Sequence, residues 1–310
     1  MPLRVLITGA AGFVGSFMVK NVIENTDWDV IGLERLSYSG SLDRLPKTNR
    51  YKSILHNLQS EINDHVAAEI GHVDYIIHIA ANSHVDRSIE NPLQFVMDNV
   101  VGTCNILNFA RKFPNLIKFV YFSTDEVFGP APPGVSYDED ARYNSTNPYS
   151  ASKAGGEELA VAFRNTYKTP VVITHTMNIY GETQHPEKYI PKCINMIKNG
   201  ETVQIHSNSD RTKAGSRFYI YAGDVAEGIM FLLKHGELEK YNIVGKSEID
   251  NYELAQTIAT ALGKELKYEF VDFHSSRPGH DLRYALSGEK MEKMGWVPKS
   301  ELVDKLKVMI

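Results

Sequence analysis

The chain has 310 residues, a formal net charge of −5, 43% hydrophobic and 23% charged side chains. That balance excludes a disordered or fibrous chain, and without a basic tail or a run of five like charges it argues against nucleic acid as the main partner. No apolar run approaches the roughly 18 residues that a membrane-spanning helix needs, and the chain enters its first strand without an apolar leader, so a cytoplasmic protein with no membrane partner is expected.

Residues 4–8, Arg-Val-Leu-Ile-Thr, form a short apolar run that stops at Gly9, the pattern of a buried strand. Gly9-Ala10-Ala11-Gly12-Phe13-Val14-Gly15 follows, and then a helical pattern through Val22 and Ile23. Glycines at such a strand-to-helix turn let main-chain N–H groups approach a pyrophosphate at the helix N-terminus. Gly9, Gly12, Phe13, Val14 and Gly15 are therefore candidate cofactor contacts. A second run, 30–33, ends in Glu34. A carboxylate about 20 residues past the glycines would hold the adenosine ribose hydroxyls and repel a 2′-phosphate, so NAD is expected over NADP. Arg35 beside it is the residue a 2′-phosphate would seek.

Residues 75–81 read as another buried strand, whose small Ala80 and Ala81 permit close backbone approach to a cofactor. His78 within it reads as a packed core histidine. Asn91-Pro92 is an N-cap followed by a first-turn proline, and the helix is expected to run to about Lys112 and lead into a strand over 118–123. Cys104 and Cys193 lie in apolar-patterned segments without metal-like spacing; both are expected as reduced, buried thiols, and no metal site is expected. The alternation of strand and helix predicts an α/β protein with a Rossmann-type, doubly wound parallel sheet.

The 118–123 strand delivers Ser123, Thr124, Asp125 and Glu126 at its carboxyl end, where open α/β sheets present chemistry. A proline-rich loop then leads to Asn147-Pro148, a second helix start. Tyr149 and Lys153, four apart, share one face of that helix. An ammonium near a phenol lowers the phenol's pKa, so a tyrosinate can accept a proton from a substrate hydroxyl near neutral pH. Gly155-Gly156 costs the helix about 1 kcal/mol per residue relative to alanine, which marks close packing, expected here against a partner helix across a dimer. After the strand over 171–176 the strict alternation lapses into short strands (203–205, 218–220) and short helices. We expect an NAD-binding domain over 1–177, with 222–244 returning to it, and a smaller α/β substrate-binding domain over 178–221 and 245–310.

Gly9-x-x-Gly12-x-x-Gly15 with Tyr149-x-x-x-Lys153 resembles the extended short-chain dehydrogenase/reductases that act on nucleotide sugars. Ser123-Thr124-Asp125-Glu126-Val127-Phe128-Gly129 resembles the signature of the dTDP-glucose 4,6-dehydratases, as do residues 80–88, 186–191 and 277–285. The resemblance spans nearly the whole chain. It implies that Tyr149 takes the proton of the sugar C4 hydroxyl while hydride passes from C4 to NAD, with Thr124 hydrogen-bonded to that hydroxyl and Lys153 supporting the tyrosine. It further implies Glu126 as the base at C5 and Asp125 as the acid that protonates the departing C6 hydroxyl, before hydride returns to C6 to give a 4-keto-6-deoxy sugar. Adjacent acids in a low-dielectric cleft favour one neutral and one ionised carboxyl.

For the remaining contacts the resemblance implies Asn57 and Leu58 beside the adenine. It places Ser83, Asn178, Lys188, Arg217, Asn251, Arg277 and His280 around the sugar and diphosphate of a nucleotide-diphosphate sugar. It also implies a homodimer through a helix bundle. The sequence departs from the family at several points: Glu34 replaces the usual Asp, Asn57 stands where an acid is usual, and Ile179 replaces the second asparagine of Asn-Asn-Tyr-Gly. The alternatives are a nucleotide-sugar epimerase or decarboxylase on the same fold, which has no use for both acids, and a non-catalytic dinucleotide-binding module.

Overall fold

The computed structural model describes residues 2–273 and 281–310. Its centre is a seven-stranded, wholly parallel sheet. The strands are β1 (Arg4–Thr8), β2 (Asp29–Glu34), β3 (Tyr51–Leu55), β4 (Tyr75–His78), β5 (Lys118–Thr124), β6 (Val171–Thr176) and a late strand, Lys240–Ile243. Their runs are apolar on both faces because helices cover both: Val5, Leu6, Ile7, Ile76, Ile77, Phe119 and Val120 are fully buried. Alternating faces of β1 and β4 feed the cores on the two sides of the sheet, as doubly wound parallel sheets require.

The order is Lys240–Ile243, β6, β5, β4, β1, β2, β3. Strand order therefore reverses between β1 and β4. Such a switch point opens a crevice at the carboxyl ends of the strands, and the loops after β1, β2, β4, β5 and β6 all empty into it. Helix α1 (Phe13–Asn25) leaves the crevice from the first of these loops. Helix Ala222–His235 packs on α1 through the core that holds Met18, Val22, Val225 and Ile229. The chain thus returns to the sheet after leaving it, and Lys240–Ile243 closes the edge in register with β6, Lys240 opposite Ile173.

Between and after these segments lies a smaller α/β region. A three-stranded sheet (Asn178–Tyr180, Ser216–Tyr221, Glu248–Asp250) and a parallel pair (Val203–Ser207, Tyr268–Asp272) pack with helices Tyr189–Lys198 and Asn251–Leu262. Their shared core contains Ile190, Ile194, Ile205, Leu254 and Ile258.

Three expectations need correction. The helix beginning at Pro92 runs without a break to Ala110, as expected, but it is not uniformly α: an α segment (Pro92–Val96) passes into a π turn (Met97–Val101) and then a second α segment (Gly102–Ala110). Gly155 and Gly156 do mark close packing, but the neighbours lie in the same chain. A Cβ on Gly156 would lie 2.5 Å from the Tyr121 hydroxyl and 2.6 Å from the Asn99 carbonyl, and one on Gly155 would meet Val100 at 3.3 Å. Cys193 is buried as expected, whereas Cys104 is only partly so; both are free.

Candidate active site

The turn after β1 is built by glycine. Gly9 has φ +71°, a conformation that costs an L side chain energy. A Cβ on Gly15 would sit 2.0 Å from the Gly9 carbonyl oxygen, so no larger residue lets α1 start this close to the strand. Gly12 occupies the N-cap of α1 without a side-chain hydrogen bond, which leaves first-turn N–H groups of the helix facing the crevice. Glu34, at the end of β2, is buried and accepts a hydrogen bond from the Ala11 N–H at 3.0 Å. Burial pushes its carboxyl up to about 7, against the opposing hydrogen bonds from Ala11 and Ala10. His78 is the core histidine expected: it is held between Thr8 Oγ1 (2.7 Å) and Thr103 Oγ1 (3.0 Å), and burial drives its pKa down to about 3.

At the other end of the crevice, β5 stops at Thr124 and the chain turns into a single 3₁₀ turn, Asp125–Phe128. Thr124 Oγ1 donates to Asp125 Oδ1 at 2.9 Å, while Asp125 Oδ2 is buried without a hydrogen-bond partner among the described residues. Burial, then the neighbouring Glu126 charge, pushes Asp125 up to about 7. Burial also raises Glu126, but its Oε2 accepts from Asn147 Nδ2 at 3.2 Å, and that bond together with the charges of Arg217 and Lys188 pulls it back. The two adjacent carboxyls therefore differ in kind: one keeps an unpartnered oxygen and a like-charged neighbour, the other has a donor that favours its ionised form.

Asn147 also starts the helix that carries Tyr149 and Lys153. Its Oδ1 accepts from the Ser150 N–H (2.8 Å) and its own N–H donates to Ser150 Oγ (3.3 Å), a capping box at the head of helix Pro148–Tyr167. In the sequence Asn147 reads only as a cap; nothing in its spacing shows that the amide's other end reaches Glu126. The same helix carries Tyr149 and Lys153, both buried. Here the expected electrostatics differ. Lys153 Nζ donates to the Phe122 carbonyl at 2.7 Å, and burial lowers its pKa to about 7. The Tyr149 phenol is pushed above its ordinary value by burial and by Glu126, opposed by a hydrogen bond with Thr124. Burial thus drives the phenol up and the lysine down, opposite to the direction that the Tyr149–Lys153 spacing leads one to expect.

Behind the end of β5 lies a network with no sequence signal. Glu157, fully buried one turn beyond Lys153, accepts from Ser123 Oγ (2.9 Å), His175 Nε2 (3.1 Å) and the Tyr143 hydroxyl, and pairs with Lys240 at 3.2 Å. Burial would raise Glu157, yet His175, Lys240 and Ser123 together hold it below the usual carboxylate range. These partners come from separate strands and a loop, so only the folded chain brings them together.

One cleft of about 340 Å³ collects Gly9, Gly12, Phe13, Val14, Gly15, Glu34, Asn57, Leu58, Ala80, Ala81, Ser83, Thr124, Asp125, Glu126, Tyr149, Lys153, Asn178 and Lys188. It is also lined by residues that sequence reasoning did not single out, among them Asp98, Thr176 and Gln184. Two predicted substrate residues stand outside its lining. Arg217 donates to the carbonyls of Ser216 and Leu282, and Asn251 accepts from the Tyr219 hydroxyl at 3.0 Å. Arg277 and His280 lie outside the described residues.

The GDP-mannose 4,6 dehydratase family model matches residues 6–309. A low-salt glycan biosynthesis protein of Haloferax volcanii is 37% identical over 99% of this chain and 97% of its own length. A dTDP-glucose 4,6-dehydratase of Escherichia coli is 36% identical over 96% and 90%. Among solved structures, a dTDP-glucose 4,6-dehydratase of Streptomyces venezuelae with NAD and TYD bound superposes with a TM-score of 0.90, at 34% identity, covering 99% of this chain and 95% of that one. The glycine turn, the Thr124-Asp125-Glu126 ledge and the Tyr149–Lys153 helix thus stand in a chain that belongs to the GDP-mannose 4,6-dehydratase family, as a dTDP-glucose 4,6-dehydratase-like member of the extended short-chain dehydrogenase/reductases.

Proposed function

We propose that the protein catalyses the NAD-dependent dehydration of a nucleoside-diphosphate glucose to its 4-keto-6-deoxy sugar, with dTDP-glucose as the first candidate and UDP-glucose as the second. A buried carboxyl, Asp125, beside a partly buried one, Glu126, in unlike surroundings and in the same cleft as Tyr149 and Thr124, carries this reading. The cleft suits the cofactor: α1 opens on uncapped N–H groups, Glu34 stands fixed at the far strand end, and Ala80 and Ala81 leave the backbone approachable. NAD, when bound, would supply the acceptor for hydride from C4 and the donor of hydride to C6.

The chain's own groups would manage the protons. Tyr149 takes the C4 hydroxyl proton, with Thr124 orienting that hydroxyl. Lys153, once protonated, stabilises the phenolate. The 4-keto group acidifies C5, and Glu126, kept ionisable by Asn147, removes the C5 proton. The electrons of that C–H bond form the C5–C6 double bond as the C6–O bond breaks. Asp125, neutral below about pH 7, gives its proton to the leaving oxygen, which departs as water. Ser83, Asn178 and Lys188 in the cleft, with Arg217, Asn251, Arg277 and His280 toward the smaller region, would hold the sugar and diphosphate. Arginine's planar fork suits phosphate oxygens in a protein of net negative charge.

We read the division of labour as 1–177 with 222–244 for the dinucleotide and 178–221 with 245–310 for the nucleotide sugar. A homodimer through helices Pro92–Val96 and Pro148–Tyr167 is supported by Leu93 and Val96, 68% and 43% exposed on the first of them; light scattering of a monomer would contradict it. Among the described residues no helix is long and apolar enough to cross a membrane, and we place the enzyme in the cytoplasm. The reaction is tested by mass spectrometry after incubation with dTDP-glucose or UDP-glucose. Product lighter by one water supports it; product of unchanged mass points to an epimerase, and loss of carbon dioxide from a uronic acid points to a decarboxylase.

A further inference from the structure

Arg35 directly follows Glu34 and lines the same end of the cleft. A free guanidinium there would attract a phosphate on the adenosine ribose and oppose the carboxyl beside it. It is not free. Both terminal nitrogens donate to the carboxylate of Asp98, Nη1 to Oδ1 and Nη2 to Oδ2, the latter at 3.2 Å.

Asp98 is itself fixed. Its Oδ1 also accepts from Gln59 Nε2 at 2.7 Å, and its Oδ2 accepts from Asn82 Nδ2 at 2.7 Å and Gln94 Nε2 at 3.1 Å. Its side chain is 7% exposed although it belongs to a helix that borders solvent. The π turn Met97–Val101 places it there, and turns of this kind recur at functional sites. The next residue, Asn99, is anchored in parallel: its Oδ1 accepts from the Asn82 N–H (2.8 Å), and its Nδ2 donates to the Asn82 carbonyl (3.0 Å) and to Ser152 Oγ (2.9 Å). Asp98 is thus a rigid, fully engaged anion whose position does not depend on Arg35.

We propose that Asp98 is a positioning residue that sets cofactor choice: by pinning Arg35 it withholds the cation a 2′-phosphate would need and leaves Glu34 to select a free 2′-hydroxyl. The inference rests on the reading of this cleft as the NAD site. It gives Asp98 a task that Glu34 performs only in part, because burial leaves the Glu34 carboxyl incompletely ionised near neutral pH and so a weak repeller of phosphate.

The test is competition of NAD⁺ and NADP⁺ against the fluorescence of bound NADH in the full chain. It compares the wild type, Asp98→Asn, Arg35→Ala and the double variant. Asp98→Asn should shift the ratio of affinities toward NADP⁺ by about tenfold or more. The double variant should lose that gain. Arg35→Ala alone should leave the ratio near that of the wild type. An unchanged ratio in Asp98→Asn, or a gain that survives without Arg35, overturns the proposal. Asp98→Ser gives the same readout if the asparagine variant does not fold. A wild type that binds neither dinucleotide would instead overturn the NAD reading itself.

Discussion

Two buried carboxyls stand at opposite ends of one cleft, and burial pushes both up to about 7. Their surroundings separate them. Glu34 is locked by the Ala11 N–H, and its neighbouring cation is neutralised by Asp98. Asp125 has a buried oxygen with no partner among the described residues and a second carboxyl beside it. On the function proposed here, burial would give a binding post at one end and a proton donor at the other; what touches the oxygens decides which.

The largest effect should come from the partner of Asp125. Glu126→Gln keeps the shape and removes the base, and should lower kcat by about a thousandfold or more, consistent with the loss of general base catalysis at C5; steady-state turnover of dTDP-glucose measures it. Asp125→Asn should lower kcat by roughly a hundredfold and also reverse a stability trend. The folded-state pKa of Asp125 is raised from 3.8 to about 7, so its folded form prefers the proton. The contribution it makes is fully present below pH 4 and is lost as pH rises through about 7. Thermal melts should therefore show Asp125→Asn more stable than the wild type at pH 8, by a few kcal/mol at most, with the gap closing toward pH 4.

Asn147→Ala sharpens the contrast between the two acids. It removes the donor that favours ionised Glu126, so the acidic limb of kcat/KM should move to higher pH, and it deletes a helix cap worth about 1 kcal/mol. A limb that stays in place would show that Asn147 only caps. At the binding end, Glu34→Ala should weaken NAD affinity about tenfold, as expected for one lost charge-assisted contact, measured by NADH fluorescence. The smallest functional effect should be that of Gly156→Ala. Its Cβ would meet Tyr121 and Asn99, so it should destabilise the fold by roughly 1–3 kcal/mol, read as a lower melting temperature.

How much of this was legible in the sequence follows from distance along the chain. The glycine turn, Glu34, the Thr124-Asp125-Glu126 ledge and Tyr149 with Lys153 are local patterns attached to strand ends and a helix start, and all of them line the cleft. Asp98 was hidden because helical periodicity carries no mark of a π turn; only the fold shows that it meets Arg35. Asn147 displayed its cap and concealed its other hydrogen bond. The Glu157–His175–Lys240 cluster joins a helix to two strands and leaves no spacing to read. The Tyr149–Lys153 spacing gave proximity but not direction, and the lysine is turned to a main-chain carbonyl.

The most direct test of the split between the two acids is to mix Glu126→Gln with dTDP-glucose and follow the near-ultraviolet absorbance of reduced nicotinamide alongside product mass. Oxidation at C4 should proceed and stop, so the absorbance should rise to about one reduced cofactor per site and persist, with no product lighter by water. Dehydrated product at the wild-type rate, or no rise in absorbance at all, would contradict the assignment of Glu126 as the base at C5.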